Sequence, residues 1–284
     1  MNQNIFKPIY DFFGIFYPGA YFTMLALSCL LSFPLIFFTA GHFGLSRKKA
    51  LILPFIVMPA ALIMSKVFHI LFENHFWDYM HNLQEQGISY FFTKMMNPFT
   101  GGHVFYGGLL GGLIAGGIAT LISYPKNKTA FLRTTDISSI CVVNGLWITR
   151  IGCFLEGCCF GRPSQLFGVR FPQDSLPMFM LYSLDPEHST LVGETQPLIP
   201  TQLIHSACNL IIFIVLLKLA FSEKEKPAGF ITAVFLLSYS VTRFLIEFLR
   251  FDVRGDFLFL STSQWISLFL FIVGFKLFKS VKKA

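Results

Sequence analysis

Residues 136–162 read DISSICVVNGLWITRIGCFLEGCCFGR, an apolar run that ends in an arginine and then a turn rich in glycine and cysteine. The run is about long enough to cross a bilayer, and Arg150 falls near its end, where lipid meets water. An arginine at that depth is costly, so it usually has a task. Because a guanidinium fork fits a phosphate, the stretch predicts a membrane helix whose end binds an anionic lipid headgroup.

The composition extends this interpretation to the whole chain. Of its 284 residues, 54% are hydrophobic, 13% are charged and 36 are phenylalanine, whereas about a quarter of a soluble domain is charged. We expect an all-α polytopic membrane protein that forms one integral membrane domain over residues 1–284. Apolar runs predict seven transmembrane helices, at about 20–40, 50–72, 104–124, 136–154, 200–221, 228–249 and 257–276.

The basic residues predict the orientation of these helices. Most follow the first, third and fifth runs or close the chain: Arg47, Lys48, Lys49, Lys126, Lys128, Arg133, Lys218, Lys224, Lys226, Lys276, Lys279, Lys282 and Lys283. The positive-inside rule then places the N-terminus outside and the C-terminus in the cytoplasm. Topology explains most of the net charge of +7, so we expect no nucleic-acid partner. The two longer connections, about 73–103 and 155–199, lie outside, where we expect the functional face.

Polar residues of the runs gather at their outer ends, and the cytoplasmic halves are almost purely apolar. The charged members are Lys66, Arg150, Arg243, Glu247 and Arg250. This pattern predicts a cationic cavity at the outer membrane surface. Simpler interpretations stay open, because Arg243 and Glu247 have the spacing of an ion pair on one helix face. Arg250 and Lys66 could extend their charged ends to the interface.

The third run is rich in glycine and opens with an aromatic residue. Glycines from Gly111 to Gly117 are typical of helices that pack closely on each other. Gly107 and Gly108 lie at the outer mouth of the run, where their backbone amides could face a ligand. Tyr106 and Tyr21 open their runs at the same depth, and an interfacial aromatic belt is the simpler interpretation of both.

Six cysteines are present, and four of them, at 29, 141, 153 and 208, are interpreted as packing residues. Cys158 and Cys159 lie on the predicted outer side, where a disulfide to a partner elsewhere is chemically possible. A metal or redox centre on Cys153, Cys158 and Cys159 is disfavoured, because offsets of five and six residues do not share a helix face. No nearby histidine repeats with ligand spacing. We therefore expect no metal and no cofactor.

Four patches carry a resemblance to the bacterial prolipoprotein diacylglyceryl transferases, from about Tyr21 to the end of the seventh run. Residues 106–109 (YGGL) resemble the family's His-Gly-Gly-Leu, and residues 150–154 (RIGCF) with Gly157, Gly161 and Arg162 resemble its signature in a cysteine-rich form. Residues 200–203 (PTQL) are similar to its Pro-Ser/Thr-Gln-Leu. Residues 243–250 (RFLIEFLR), followed by 263–265 (SQW), are similar to its Arg-Phe-x-x-Glu-Phe-x-Arg tail.

The resemblance implies seven spans and a multi-pass enzyme of the bacterial plasma (inner) membrane, with its active site facing the outer leaflet. It implies transfer of the diacylglyceryl group of phosphatidylglycerol to the lipobox cysteine of a secreted prolipoprotein, forming a thioether and releasing glycerol phosphate. The expected catalytic residues are Arg150, Arg243 and Tyr106. The expected substrate-binding residues are Tyr21, Lys66, Gly107, Gly108, Cys153, Gly157, Gly161, Arg162, Gln202, Glu247, Arg250 and Gln264.

The sequence departs from the family pattern at several of these positions. Tyr106 replaces a histidine, and tyrosine is a poor base at neutral pH; His103 and His205 lie at similar depth and could substitute. Lys66 replaces an arginine, which keeps the charge but loses the planar fork. Cys153 and Cys158 replace Asn and Glu of the better-known signature. Two alternatives therefore stay open: an enzyme using the same phospholipid with another acceptor, and a lipid-binding or transport protein without catalysis.

Overall fold

The computed structural model describes residues 7–12, 19–72, 81, 84–85, 87, 105–125, 127, 129–171, 196–251, 256–257 and 259–283. Its longer elements are helical: α1 (Lys7–Phe12), α2 (Ala20–His42), α3 (Arg47–Phe72), α4 (Phe105–Ser123), α5 (Ala130–Glu156), α6 (Thr201–Ala220), α7 (Phe230–Glu247) and α8 (Thr262–Lys283). A short antiparallel hairpin, β1 (Asp256–Phe257) and β2 (Leu260–Ser261), precedes α8.

Six of the helices are long and apolar enough to cross a membrane, namely α2, α3, α5, α6, α7 and α8. Large apolar side chains project outward from these helices. Phe55 and Ile211 are examples, and they are 67% and 61% exposed. A shorter apolar helix, Gly107–Ser123, lies at the third predicted span. The prediction of a helical, polytopic membrane protein is confirmed.

Two predicted span starts were wrong, each for a local reason. The seventh span was predicted from residue 257, but residues 256–257 and 260–261 pair as the hairpin, so α8 begins at Thr262. The fourth span was predicted from Asp136, but α5 begins at Ala130, after a turn in which Asn127 Oδ1 accepts the backbone N–H of Thr129 at 3.0 Å. A charged residue interrupts an apolar run in the sequence, but the backbone hydrogen bonds of a helix continue past that residue.

The chain divides into two compact units, and the unit formed by Ala40–Thr134 is built on α3 and α4. A Cβ added to Gly111 would lie 2.5 Å from the Cβ of Met64, so the two helices approach as closely as glycine permits. At one end of the pair, Lys49 Nζ donates to the carbonyl of Ser123 at 2.6 Å. The predicted packing role of the glycines is confirmed at Gly111.

The other unit comprises Met1–Thr39 and Thr135–Ala284, and in it α7 packs against α6 and α8. Asp136, near the start of α5, is fully buried in this unit. Its carboxylate accepts the backbone N–H groups of Gly229 and Thr232 at 2.8 and 2.9 Å. Gly229 has no side chain to cap α7, and Asp136 supplies the negative charge that a helix N-terminus favours.

Candidate functional site

The predicted signature stretch ends α5 in a turn that brings its cysteines together. Gly157 is left-handed, with φ of 77°, and its N–H donates to Phe154 O at 3.1 Å. The N–H of Cys158 donates to Cys153 O at 3.0 Å. These two bonds are the Schellman motif, which reverses the chain at a helix end. The turn therefore returns Cys158 to the last turn of α5, beside Cys153.

The next residue, Cys159, is held in a backbone conformation that side chains other than glycine rarely adopt. Its φ is 63°, and such conformations persist only where the surroundings enforce them. Here Thr201 Oγ1 donates to the carbonyl of Cys159 at 2.7 Å, and Gln202 Nε2 donates to the carbonyl of Cys158 at 2.6 Å. Both donors are fully buried at the start of α6. The predicted site residue Gln202 thus positions the cysteine turn.

Beyond the cysteines, the chain is bonded to the segments that precede α6 and follow α7. The N–H of Gly161 donates to Ile199 O at 2.8 Å, and the N–H of Arg162 donates to Leu249 O at 2.9 Å. A Cβ on Gly161 would lie 2.5 Å from that Leu249 carbonyl, which explains the glycine. Phe160 of this segment forms a small buried hydrophobic core with Phe171 and Leu198. The cysteine turn is therefore a fixed structure.

This turn places the sulfur atoms of Cys153, Cys158 and Cys159 within 4.8 Å of one another. The expectation that their spacing keeps them apart was wrong, because the helix-face rule applies only as far as Glu156, where α5 ends. All six cysteines are free thiols. Hydrogen bonds with Cys153 and Cys158, and then the charges of Arg250 and Arg150, lower the pKa of the Cys159 thiol. Hydrogen bonds with Cys153 and Cys159 raise the pKa of Cys158.

Three predicted arginines lie in the same unit as this turn. Arg150, half-buried one turn before Cys153, interacts electrostatically with Cys153, Cys159 and Arg250. Arg243 donates to Glu247 Oε2, so the predicted pairing on α7 is confirmed. Arg250 Nε lies 3.9 Å from the same oxygen. One carboxylate thus faces two arginines, and the cluster keeps a positive excess.

The start of α8 is bonded to the Arg243–Glu247 pair. Arg243 Nη2 donates to Ser263 Oγ at 2.8 Å, and Ser261 Oγ donates to Glu247 Oε1 at 2.9 Å. Ser261 and Gln264 form a capping box, because the N–H of Ser261 donates to Gln264 Oε1 and the N–H of Gln264 donates to Ser261 Oγ. The predicted site residue Gln264 therefore fixes the helix start that holds Arg243 and Glu247.

Several buried polar atoms of this unit have no hydrogen-bond partner among the described residues. They include Gln202 Oε1, His205 Nε2 and Gln264 Nε2. Buried polar groups are nearly always paired, so each such atom needs an explanation. His205 is within electrostatic range of Arg150, Arg243 and Arg250. These atoms can serve a polar ligand, because they offer an amide donor, an amide oxygen and an imidazole nitrogen beside the arginines.

Tyr21 lies close to the same cluster. Its backbone N–H donates to Glu156 Oε1 at 2.9 Å, which caps the start of α2 from the end of α5. It interacts electrostatically with Cys153 and Arg150. The structure thus brings eight predicted site residues together around the turn that contains two more, Gly157 and Gly161. The eight are Tyr21, Arg150, Cys153, Gln202, Arg243, Glu247, Arg250 and Gln264.

The remaining predicted residues are placed differently. Arg162 is exposed, although its backbone joins the clamp on the cysteine turn. Lys66, Gly107 and Gly108 belong to the unit formed by Ala40–Thr134, where Lys66 is buried. A Cβ on Gly107 would lie 2.5 Å from Met64 O, so this glycine packs against α3. The side chain of Tyr106, His103 and most of the two predicted outer loops lie outside the described residues.

Four residues that hold the site were not among the expected site residues. Glu156, Thr201, Ser261 and Ser263 all bond to it, although Thr201 and Ser263 belong to the patches that carry the family resemblance. One signal was readable, since Ser261-Thr262-Ser263-Gln264 has the spacing of a capping box. The bonds of Glu156 and Thr201 join segments distant in sequence, so no local pattern indicated their partners, Tyr21 and Cys159.

The fold and the site define a multi-helix membrane protein in which arginines and unpaired polar atoms surround a rigid cysteine turn. Comparison with known proteins gives the family. Residues 13–279 match the prolipoprotein diacylglyceryl transferase family, so the chain belongs to that family and is an enzyme of the transferase class.

Three relatives are similar to this chain. It is 34% identical over 197 residues to phosphatidylglycerol–prolipoprotein diacylglyceryl transferase 2 of Clostridium perfringens (strain 13 / Type A), covering 66% of this chain and 67% of that protein. It is 33% identical over 187 residues to the phosphatidylglycerol–prolipoprotein diacylglyceryl transferase of Clostridium tetani (strain Massachusetts / E88), covering 65% and 66%. The Acinetobacter baumannii (strain SDF) transferase is 35% identical over 157 residues, covering 55% and 50%.

Proposed function

We propose that this protein transfers the diacylglyceryl group of phosphatidylglycerol to the lipobox cysteine of prolipoproteins. The observation that carries the proposal is the cluster of Arg150, Arg243 and Arg250 beside the fixed turn, in a chain that matches the family over residues 13–279. Guanidinium groups suit a phosphodiester, and the two unpaired amide atoms, Gln202 Oε1 and Gln264 Nε2, suit the hydroxyl groups of its glycerol headgroup.

The chemistry follows from the charges. The acceptor thiolate attacks the glycerol carbon that carries the phosphate, a carbon–sulfur bond forms, and the carbon–oxygen bond to phosphate breaks. The electron pair leaves with the phosphate oxygen, so glycerol phosphate departs with more negative charge than the diester carried. Arg150 and Arg243 then stabilise the transition state more than the ground state, which is the condition for catalysis. Tyr106, His103 and His205 stay the candidate proton acceptors.

The topology is part of the proposal. Helix α4 has 19 residues and is about 28 Å long at 1.5 Å per residue, which supports it as a seventh span. The positive-inside rule supports an outer N-terminus and a cytoplasmic C-terminus. The arginine cluster then faces the outer leaflet of the bacterial inner membrane, where a secreted acceptor arrives. Residues 1–284 act as one integral membrane domain in this arrangement.

The test is transfer from phosphatidylglycerol to a lipobox peptide by purified Arg150→Ala and Arg243→Ala variants. By analogy with the loss of one oxyanion donor, each should lower the rate by about 10²- to 10³-fold. Arg133→Ala is the matched control, because Arg133 lies near the start of the same helix as Arg150 and stacks on Phe43. Full activity in both cluster variants would refute the proposed roles.

A further inference from the structure

The bond-making and bond-breaking steps of the proposed transfer give no role to the three clustered thiols, Cys153, Cys158 and Cys159. The backbone fixes the positions of these cysteines. The Schellman turn places Cys158 beside Cys153, and the buried side chains of Thr201 and Gln202 donate hydrogen bonds to the carbonyls of Cys159 and Cys158. These bonds hold Cys159 in its left-handed conformation, with φ of 63°. Backbone strain of this kind concentrates at functional sites.

The spacing of the sulfur atoms suits one thiophilic cation. All three lie within 4.8 Å of one another. Zinc binds thiolate sulfur at about 2.3 Å, so three sulfurs sharing one zinc ion lie about 3.8–4.0 Å apart. The present separations exceed that spacing by about 1 Å at most, a difference that side-chain rotations would close. The backbone, which is already fixed, would not need to move.

The charges beside the thiols favour such a complex. A divalent cation with three thiolates carries a net charge of −1, which is costly to bury alone. Arg250 and Arg150 both act electrostatically on Cys159 and would balance that charge. Cys153 is buried, while Cys158 and Cys159 are half-buried, so the cation would be shielded yet reachable from one side.

Three protein ligands would leave one position of a tetrahedral zinc site open for a substrate. Within the described ranges, the cluster consists of three cysteines and no fourth Cys, His, Asp or Glu. A structural zinc site normally has four protein ligands, whereas a catalytic one has three and an open position. A soft cation with an open position beside an arginine cluster would take another soft donor, and a thiol is the soft donor that the proposed reaction supplies.

We propose that Cys153, Cys158 and Cys159 bind a zinc ion whose fourth position takes the acceptor thiol. This inference rests on the proposed function for the identity of that thiol. The thiol loses its proton to water at the membrane surface when it binds the cation, because a coordinated thiol is deprotonated. The bound thiolate then forms the carbon–sulfur bond as the carbon–oxygen bond of the phosphodiester breaks and its electron pair leaves on phosphate. The thioether product, being neutral, is a weaker ligand and departs.

The first test is metal content of the full-length protein in detergent, by mass spectrometry after dialysis against zinc. We expect about one zinc per chain, lost in Cys153→Ser, Cys158→Ser and Cys159→Ser. Cys29→Ser is the matched control, since Cys29 lies in α2 outside the cluster, and it should keep the metal. No bound zinc in the unaltered protein, or a disulfide among the three cysteines, would overturn the proposal.

The second test replaces zinc with Co²⁺, whose absorption reports its ligands. Titration with a lipobox peptide should increase the sulfur-to-cobalt charge-transfer band, and a peptide with serine in place of the acceptor cysteine should not. A spectrum that the cysteine peptide leaves unchanged would overturn the open position. The Cys→Ser variants should show no such band, and a band in any of them would also count against the site.

Failure of this inference and failure of the proposed function give different results. If the chelator-treated protein, shown to be metal-free, transfers the diacylglyceryl group at the full rate, the function stands and the zinc inference falls. If the protein binds zinc through the three cysteines and the cysteine peptide alters the cobalt spectrum, but no transfer from phosphatidylglycerol follows, the site stands and the proposed donor or reaction falls.

Discussion

Replacing Glu247 with glutamine tests whether the carboxylate between two arginines positions the arginine cluster for the proposed transfer. Glu247 accepts a hydrogen bond from Arg243 on one oxygen and from Ser261 on the other. Arg250 is 3.9 Å from the oxygen that Arg243 uses. Glutamine keeps the volume and can still accept from Ser261, but it removes the negative charge that Glu247 places beside the two buried arginines.

The magnitude follows from the type of bond removed. A hydrogen bond to a charged group contributes about 1.5–3 kcal/mol, and a neutral one about 0.5–1.5 kcal/mol. Since 1.36 kcal/mol is tenfold in rate, Glu247→Gln should lower kcat/KM by about 10- to 150-fold if Arg243 loses its orientation. Ser261→Ala removes one hydroxyl donor from the same carboxylate but keeps the charge of Glu247 and its bond with Arg243, so it should lower the rate less than Glu247→Gln does.

The assay is transfer from phosphatidylglycerol to a lipobox peptide at several concentrations of each. Thermal midpoints in detergent are measured in parallel, so that lost activity can be separated from lost folding. Glu247→Asp should recover part of the rate, because it restores the charge at a shorter reach. The reasoning would be refuted by a Glu247→Gln variant that is folded and within about twofold of the unaltered rate, or by Ser261→Ala being the more damaging change.

Three further predictions concern other parts of the chain. Asp136→Ala should lower the free energy of unfolding by about 1–3 kcal/mol, because the N–H groups of Gly229 and Thr232 lose a buried acceptor. We expect a lower thermal midpoint with unchanged activity at low temperature. An unchanged midpoint would contradict this prediction. Gly107→Ala should lower the thermal midpoint through the clash with Met64 O, whereas Gly116→Ala, whose Cβ would lie 3.4 Å from Val57 Cγ2, should be tolerated. In chelator-treated protein, iodoacetamide should alkylate Cys159 at lower pH than Cys158. The pKa of Cys159 is lowered, so its thiolate persists as pH falls, whereas the pKa of Cys158 is raised. Peptide mass spectrometry measures both pH profiles, and equal profiles would contradict this prediction.

The helices were predictable because the bilayer imposes a simple requirement on sequence. An apolar run near 20 residues is sufficient evidence for a spanning helix, and the helices begin and end within a few residues of most predicted runs. The start of α8 was not predictable from hydropathy, because a hairpin and a capping box decide it. The start of α5 was missed since Arg133 and Asp136 interrupt the hydropathy but not the helix.

The arginines of the site were predictable, and the thiol cluster was not. Arg150, Arg243 and Arg250 are charges in apolar runs, which is a signal visible in any sequence. The three cysteines meet only because Gly157 ends α5 and Thr201 and Gln202 fix the turn that follows. The helix-face rule therefore gave the wrong answer for Cys158 and Cys159, which lie two and three residues beyond the end of the helix.

The most direct test of the proposed function is a single reaction in which both products are counted. Purified protein is given phosphatidylglycerol and a lipobox peptide, and glycerol phosphate release is compared with the gain in peptide mass. We expect one glycerol phosphate for each diacylglyceryl group on the peptide, and neither product with a peptide whose cysteine is replaced by serine. Glycerol phosphate release that is equal with the two peptides, with no gain in peptide mass, would contradict transfer to the lipobox cysteine and point to another acceptor.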